Sequence, residues 1–170
     1  MRPFFCKIAP SPLVSRRNYR STRTLATWFT RTFPDDIGEP FQYLCWTLAL
    51  YRSGDRKNAA RKLAQTWFKN PYLVLRLLGT EQQKIDFWHS SNWEQPEYLE
   101  AGPSELLDLW NEDALAWAKE VYEEAWFKQV RATYLEMQRR LTNEPVGPER
   151  SRLVSEIYWL MALEGVETGS

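Results

Sequence analysis

The sequence predicts an all-α fold, and three features indicate it. Apolar residues recur at spacings of three and four along most of the chain, which is the period of a helix with one buried face. Proline and glycine stand at the edges of these stretches. No stretch shows the apolar–polar alternation of a half-buried strand. The simplest organisation for 170 residues is a basic N-terminal arm at 1–20 followed by a single helical domain at 21–170.

The first 34 residues contain seven basic residues and no acidic one, with scattered Ser and Thr. That composition suits either an organelle transit peptide or a basic arm that packs on an acidic surface. Within it, "TLATWFTRTF" has helical spacing and places Leu25, Trp28 and Phe29 on one side. We expect a retained arm followed by a first helix, and the transit peptide stays open as the alternative.

A helical hairpin is predicted next. Pro40 suits the first turn of a helix over 40–53, which Gly54 and Asp55 then end. A second, amphipathic helix is expected over 56–69, since the residue before Pro71 is pushed out of the helical region. The second helix is expected to turn three cationic side chains toward water: Arg61, Lys62 and Lys69.

After the hairpin, a short helix "YLVLRLLG" is expected to close on Gly79. Residues 80–103 have weak periodicity and predict an ordered loop held by four aromatic side chains, Phe87, Trp88, Trp93 and Tyr98. "PSELLDLW" predicts another short helix.

The second half of the chain predicts two further helices. Asn111 is a plausible N-cap for a helix of about thirty residues, roughly 45 Å long. Its expected apolar stripe consists of Ala118, Val121, Ala125, Tyr134, Met137 and Leu141. "TNEPVGP" interrupts the chain, and the last helix, about 149–163, should turn Leu153, Ile157, Leu160 and Met161 to the core.

Residues 40–73 form one unit of 34 residues with a distinctive set of offsets. Gly54 allows a tight corner between two antiparallel helices, and Ala59 is small where they would cross closely. The offsets are Tyr43-x2-Trp46-Thr47-x2-Leu50, then Ala59-x3-Leu63, then Pro71.

This unit resembles the tetratricopeptide repeat (TPR), whose pattern is W-x2-L-G-x2-Y, A-x3-F and P. The resemblance implies helical hairpins that pack with the long C-terminal helix into one bundle. The chain departs from the pattern at Trp46, Thr47 and Leu63, where the family usually has leucine, glycine and an aromatic residue. "NPYLVLRLLG" and "NEDALAWAKEVYEEAW" are similar to segments of uncharacterised bacterial TPR-like proteins, although the SecA-type metal-binding motif that ends some of them is absent.

The resemblance also implies a place for a ligand. TPR ligands lie along the first helix of each repeat, and the matching positions here are Phe41, Leu44, Leu48, Tyr51 and Arg52. We expect these to bind a peptide or helix, with Tyr51 and Arg52 as anchors. The alternative is that the chain's other helices cover them.

Charge, the length of apolar runs and cysteine spacing limit which other functions the chain is expected to have. Residues 1–78 carry a net charge of +10 and residues 79–128 carry −9. This distribution favours pairing of the basic and acidic parts within the fold, and the alternative is two separate surfaces for charged partners. The basic "SRRNYRSTR" could contact nucleic acid, but no reader motif accompanies it, and the acidic middle would repel the same backbone. No apolar run approaches the ~18 residues of a membrane span. The spacing of Cys6 and Cys45 favours a reducing compartment, taken to be the cytoplasm.

Catalytic and metal chemistry find little support. His89, with Asp86 and Ser90 near it, lacks the elbow that a nucleophilic serine needs. With one histidine, the chain makes no usual zinc site and no di-metal carboxylate motif. The acidic sets are expected to be solvated: Glu97/Glu100, Glu112/Asp113 and Glu120/Glu123/Glu124. We therefore expect no catalytic residue, no metal and no cofactor.

The sequence favours a cytoplasmic protein-interaction module, an adaptor or partner-stabilising factor, whose partner is another protein. A homodimer stays open. The alternatives are a small enzyme with a hidden site and nucleic-acid binding through the basic arm.

Overall fold

The structure is a computed structural model that describes residues 38–81, 84–85, 91–163 and 166. Over these residues it contains α-helices and short 3-10 helices and no strand, which confirms the all-α class. The basic arm, the helix expected near residues 24–33 and the expected Phe87, Trp88 and His89 contacts lie outside the described residues. No described helix is both long enough and apolar enough to cross a membrane.

Helices α1 (Pro40–Arg52) and α2 (Arg56–Lys69) form the predicted hairpin. Gly54 has a φ of +84°, a conformation that glycine adopts at little cost. Asp55 then caps α2, where its Oδ1 accepts a hydrogen bond from the Asn58 backbone N–H at 3.3 Å. The corner is therefore built by a glycine and a capping aspartate, as the sequence predicts for the glycine.

The two helices of the hairpin meet through small side chains. Ala59 is completely buried. Thr47 and Thr66 are also buried, with their hydroxyl oxygens 3.4 Å apart. Each hydroxyl also donates to a carbonyl one turn earlier in its own helix, so both buried hydroxyl groups have a hydrogen-bond partner. Thr47 thus fills the position where the resembled repeat usually has glycine, while membership of that family stays a prediction.

Helix α3 (Pro71–Leu77) begins directly after Asn70, which is fully buried. The Asn70 side chain accepts from the Leu73 N–H at 2.9 Å and donates to the carbonyls of Trp93, at 2.6 Å, and Gln95, at 3.2 Å. From the sequence, Asn70 is expected only to end α2. Its side chain also caps α3 and fastens the following loop to the hairpin.

The segment that follows is a chain of short turns. It comprises a 3-10 turn (Asn92–Glu94), helix α4 (Tyr98–Ala101) and a 3-10 helix (Ser104–Leu109) in place of the short α-helix expected there. Leu99 and Trp110 are buried in the core. Of the four aromatic residues expected to hold this loop, Trp93 and Tyr98 lie within the described residues and are partly buried, while Phe87 and Trp88 lie outside them.

The predicted thirty-residue helix is wrong. Two helices occupy that stretch, α5 (Glu112–Glu123), capped by Asn111 as expected, and α6 (Ala125–Asn143). Glu124 between them has an extended backbone, with ψ of 145°. The break shifts the phase of the second helix, so that Ala125 is exposed and Phe127 takes its place in the core.

Helix α7 (Pro148–Ala162) completes the described bundle. Leu153 and Ile157 are buried as predicted, and Leu160 and Met161 pack against the core while staying partly exposed. Part of the core is aromatic. Edge-on and tilted contacts join four of its rings: Trp67, Phe68, Phe127 and Tyr134.

Candidate interaction surface

The N-terminal part of the predicted ligand face is covered by the chain itself. Phe41, Leu44 and Leu48 are all buried in the core. The Phe41 ring lies 5.8 Å from the Tyr98 ring, and it packs so closely on Gly102 that a Cβ at that position would overlap it. In this structure these three side chains are not accessible to a partner, and the segment around Tyr98 and Gly102 covers Phe41.

The C-terminal end of α1 is different. Tyr51 and Trp117 are both partly exposed, and their rings lie 4.7 Å apart at a tilt of 39°. The exposed Arg56 places its guanidinium carbon 3.5 Å from the centre of the Tyr51 ring and 5.8 Å from that of Trp117. A cation over two aromatic rings is a favourable arrangement that also holds the rings in place.

Arg52 lies beside this group at the last turn of α1. Its guanidinium donates to the backbone carbonyl of Leu109 and stays partly exposed. That hydrogen bond orients the side chain, and no ion pair in the described part of the chain includes Arg52. We call Tyr51, Arg52, Arg56 and Trp117 the Tyr51 cluster.

The Tyr51 cluster carries two positive charges without a carboxylate to balance them. Within the described residues, the ion pairs lie on α5, α6 and α7, and none includes Arg52 or Arg56. Arginine keeps its charge at every physiological pH. The arrangement can therefore receive a carboxylate on the guanidinium groups and an apolar side chain against the rings.

Two members of the cluster were predicted from the sequence and two were missed. Tyr51 and Arg52 come from the resembled repeat. Arg56 and Trp117 are brought to them by the turn at Gly54 and by the packing of α5, which the spacing along the chain does not encode. The high tryptophan content was the available signal for Trp117.

A second group of interest is Lys62 on α2, which was expected to face water but is partly buried. Its Nζ lies 4.4 Å from the centre of the Tyr43 ring and 5.3 Å from that of Trp46, and it donates to Gln65 Oε1 at 2.7 Å. Burial, and then the charge of Lys69, lowers the pKa of Lys62 to about 8. The aromatic neighbours explain the burial, since the long lysine stem packs along them.

The carboxylate sets do not form a metal centre. Where the structure describes the chain, no group of three or more His, Cys, Asp or Glu side chains is placed to hold an ion. Glu97, Glu100, Glu112, Asp113 and Glu120 are exposed. Glu123 is exposed as well, and its ion pair with Lys128, 2.8 Å long, lowers its pKa. The prediction of a solvated acidic surface is consistent with these positions.

Comparison of the chain with protein families, with curated proteins and with solved structures finds no match. What the protein does must therefore be inferred from its own geometry.

Proposed function

We propose that the protein is a protein-interaction module that binds a short acidic segment of another protein at the Tyr51 cluster, acting as an adaptor or partner-stabilising factor in the cytoplasm. The observation that carries the proposal is the stacked arrangement of Arg56, Tyr51 and Trp117, with centres 3.5 Å and 4.7 Å apart, at a partly exposed position. The peptide contacts the end of α1 rather than its whole length, because Phe41, Leu44 and Leu48 are buried.

The chemistry of the cluster supports a protein ligand. Tyrosine, tryptophan and arginine are the residues on which interface energy usually concentrates, and truncating one such anchor typically costs about 2 kcal/mol or more. The rings are already held by Arg56, and Arg52 is already held by the Leu109 carbonyl. Binding therefore loses little side-chain entropy, which favours affinity.

The charge of the cluster defines the segment that it binds. Arg52 and Arg56 lack carboxylate partners among the described residues, so an Asp or Glu of the ligand gains two charge-assisted contacts. An apolar residue next to that carboxylate would cover the Tyr51 and Trp117 rings. The expected motif is one acidic residue beside one large apolar residue.

Affinity purification followed by mass spectrometry tests this proposal with four tagged proteins: the parent, Arg52→Glu, Arg76→Glu and His89→Ala. Arg76 is a matched control, because it also lies in the last turn of a helix and donates to a loop carbonyl, that of Leu99, at 3.1 Å. Arg52→Glu should lose partners that Arg76→Glu retains. His89→Ala should retain them too.

The contradicting outcome is specific. If Arg52→Glu captures the same partners as the parent, the Tyr51 cluster is not the binding surface. If in addition His89→Ala abolishes a measurable turnover, the protein is an enzyme.

A further inference from the structure

A second exposed surface, separate from the Tyr51 cluster, lies on α7. Tyr158 and Trp159 are 67% and 65% exposed. All the other tryptophans that the structure describes are buried or partly buried. Leaving two adjacent large rings in water forgoes the stabilisation that burying them would give, so such a pair usually marks a contact surface.

The rings belong to one continuous face of the helix. Positions separated by three and four residues share a side of a helix, and every position of this set is exposed. We call it the α7 face, and its members are Pro148, Ser151, Arg152, Ser155, Tyr158, Trp159 and Ala162.

The order of residues along the α7 face is complementary to itself. Ser155 lies at its middle, with Ser151 and Arg152 on one side and the two rings on the other. When two copies of a helix pack antiparallel about an axis at Ser155, residues equally far before and after it come opposite each other. Arg152 of each copy then lies opposite the Tyr158 ring of the other, and Ser151 lies opposite the Trp159 ring and leaves room for it. A parallel pair would instead bring arginine beside arginine.

Charge and hydrogen bonding also permit this contact. Arg152 is held between Glu149 and Glu156, with its Nε 3.0 Å from a Glu149 oxygen and its Nη1 2.9 Å from a Glu156 oxygen. Arg140 lies 3.7 Å from Glu149 as well, so the group of two arginines and two glutamates has no net charge. Two such faces do not repel each other.

The serines at the centre are already satisfied within their helix. The Ser155 hydroxyl donates to the Ser151 carbonyl at 3.0 Å, and the Ser151 hydroxyl donates to the Gly147 carbonyl at 3.3 Å. Their burial in a contact therefore leaves no orphaned donor. Small side chains at the crossing also let two helix backbones approach closely.

We propose that the α7 face binds the α7 face of a second copy of this chain, forming an antiparallel, two-fold symmetric dimer centred on Ser155. The area that the contact buries limits the stability of the dimer. Two rings, each about two-thirds exposed, offer roughly 200–300 Å² per copy, a minority of the ~800 Å² per partner of a standard interface. The dimer is accordingly weak and forms reversibly with concentration.

Cysteine crosslinking tests the geometry. A residue on the two-fold axis faces its own copy, so Ser155→Cys should form an intermolecular disulfide under mild oxidation, for which the two Cα atoms must lie within about 7 Å. Ser151→Cys is the matched control, because it is an exposed serine one turn away that faces rings rather than itself. Mass spectrometry identifies the bond between two copies of position 155, and the parent measures the background from the native cysteines.

Sedimentation over a concentration series tests the association itself. The parent should shift reversibly from monomer toward dimer as concentration rises, and Ser155→Arg should remain monomeric, because it places two like charges opposite each other. Trp159→Gln should also shift the equilibrium toward monomer. Circular dichroism and thermal melts should show that both variants fold like the parent.

Two results would overturn the dimer. One is a parent that stays monomeric at every concentration. The other is a Ser155→Cys protein that crosslinks no faster than Ser151→Cys, which would show that two copies do not meet at Ser155.

Discussion

Replacing Lys62 with methionine should stabilise the fold near neutral pH. Burial and the charge of Lys69 lower the pKa of Lys62 to about 8, so folding disfavours the charged form of this side chain. Methionine keeps an unbranched apolar stem of similar length and carries no charge. The variant therefore avoids the cost of burying an ammonium group beside Tyr43 and Trp46.

The sign of the pH dependence follows from the direction of this shift. The pKa of Lys62 falls from 10.5 to about 8 on folding. Between these two values the unfolded chain binds a proton that the folded chain does not, so the stability of the parent rises with pH across that window. Below pH 8 the ammonium is charged in both states, and its full cost is present.

The magnitude is limited by the size of the shift and by the contacts that the ammonium keeps. A fall from 10.5 to 8 corresponds to at most ~3 kcal/mol. Lys62 is only partly buried and retains Gln65 at 2.7 Å and the Tyr43 ring at 4.4 Å, which methionine loses. We expect Lys62→Met to be more stable than the parent by ~1 kcal/mol at pH 7, with an advantage that disappears toward pH 10.5.

Urea unfolding at several pH values from 7 to 10.5 measures this difference. Lys57→Met, an exposed lysine on the same helix, reports the effect of removing an ammonium from the surface. The explanation is refuted if Lys62→Met is less stable than the parent at pH 7, or if its advantage does not shrink above pH 8.

Three further substitutions test the hairpin and its cover. Gly54→Val should lower the thermal midpoint and cost ~1–2 kcal/mol, because φ is +84° at this position. A Cβ there meets no other atom, so the cost comes from the backbone conformation alone. Gly147→Val, at an extended position, should cost less. Ala59→Leu should cost ~1–3 kcal/mol in urea unfolding by overpacking the helix crossing, and an unchanged midpoint would show that α1 and α2 do not meet there. Gly102→Ala should destabilise by colliding with the Phe41 ring, and Phe41→Leu in the same chain should recover part of that loss. Additive effects at these two positions would show that they do not touch.

Local signals in the sequence were sufficient for most helix ends. Pro40, Gly54 and Asn111 lie where the helices begin or turn, because the backbone preference of each residue acts over a few neighbours. Such signals are absent at Glu124, because neither a proline nor a glycine lies next to the break. Beyond this break Phe127 lies in the core, with its ring centre 6.5 Å from that of Trp67.

The residues of the candidate site also divide into those that a local pattern predicts and those that depend on distant contacts. Tyr51 and Arg52 follow from a local pattern, but the burial of Phe41 involves Tyr98 and Gly102, far along the chain from it. The spacing of residues within one helix does not show contacts between residues so far apart in the sequence. The double role of Asn70 and the burial of Lys62 were missed for the same reason.

The measurement that tests the proposed function most directly is selection from a random peptide display library with purified protein. The parent should enrich peptides with Asp or Glu beside a large apolar residue. A variant with both Arg52→Glu and Arg56→Glu should lose these peptides and select Lys or Arg in their place, because the charge of the Tyr51 cluster is reversed while Tyr51 and Trp117 remain. Identical peptide preferences in the parent and the double variant, in a protein that melts like the parent, would contradict the account.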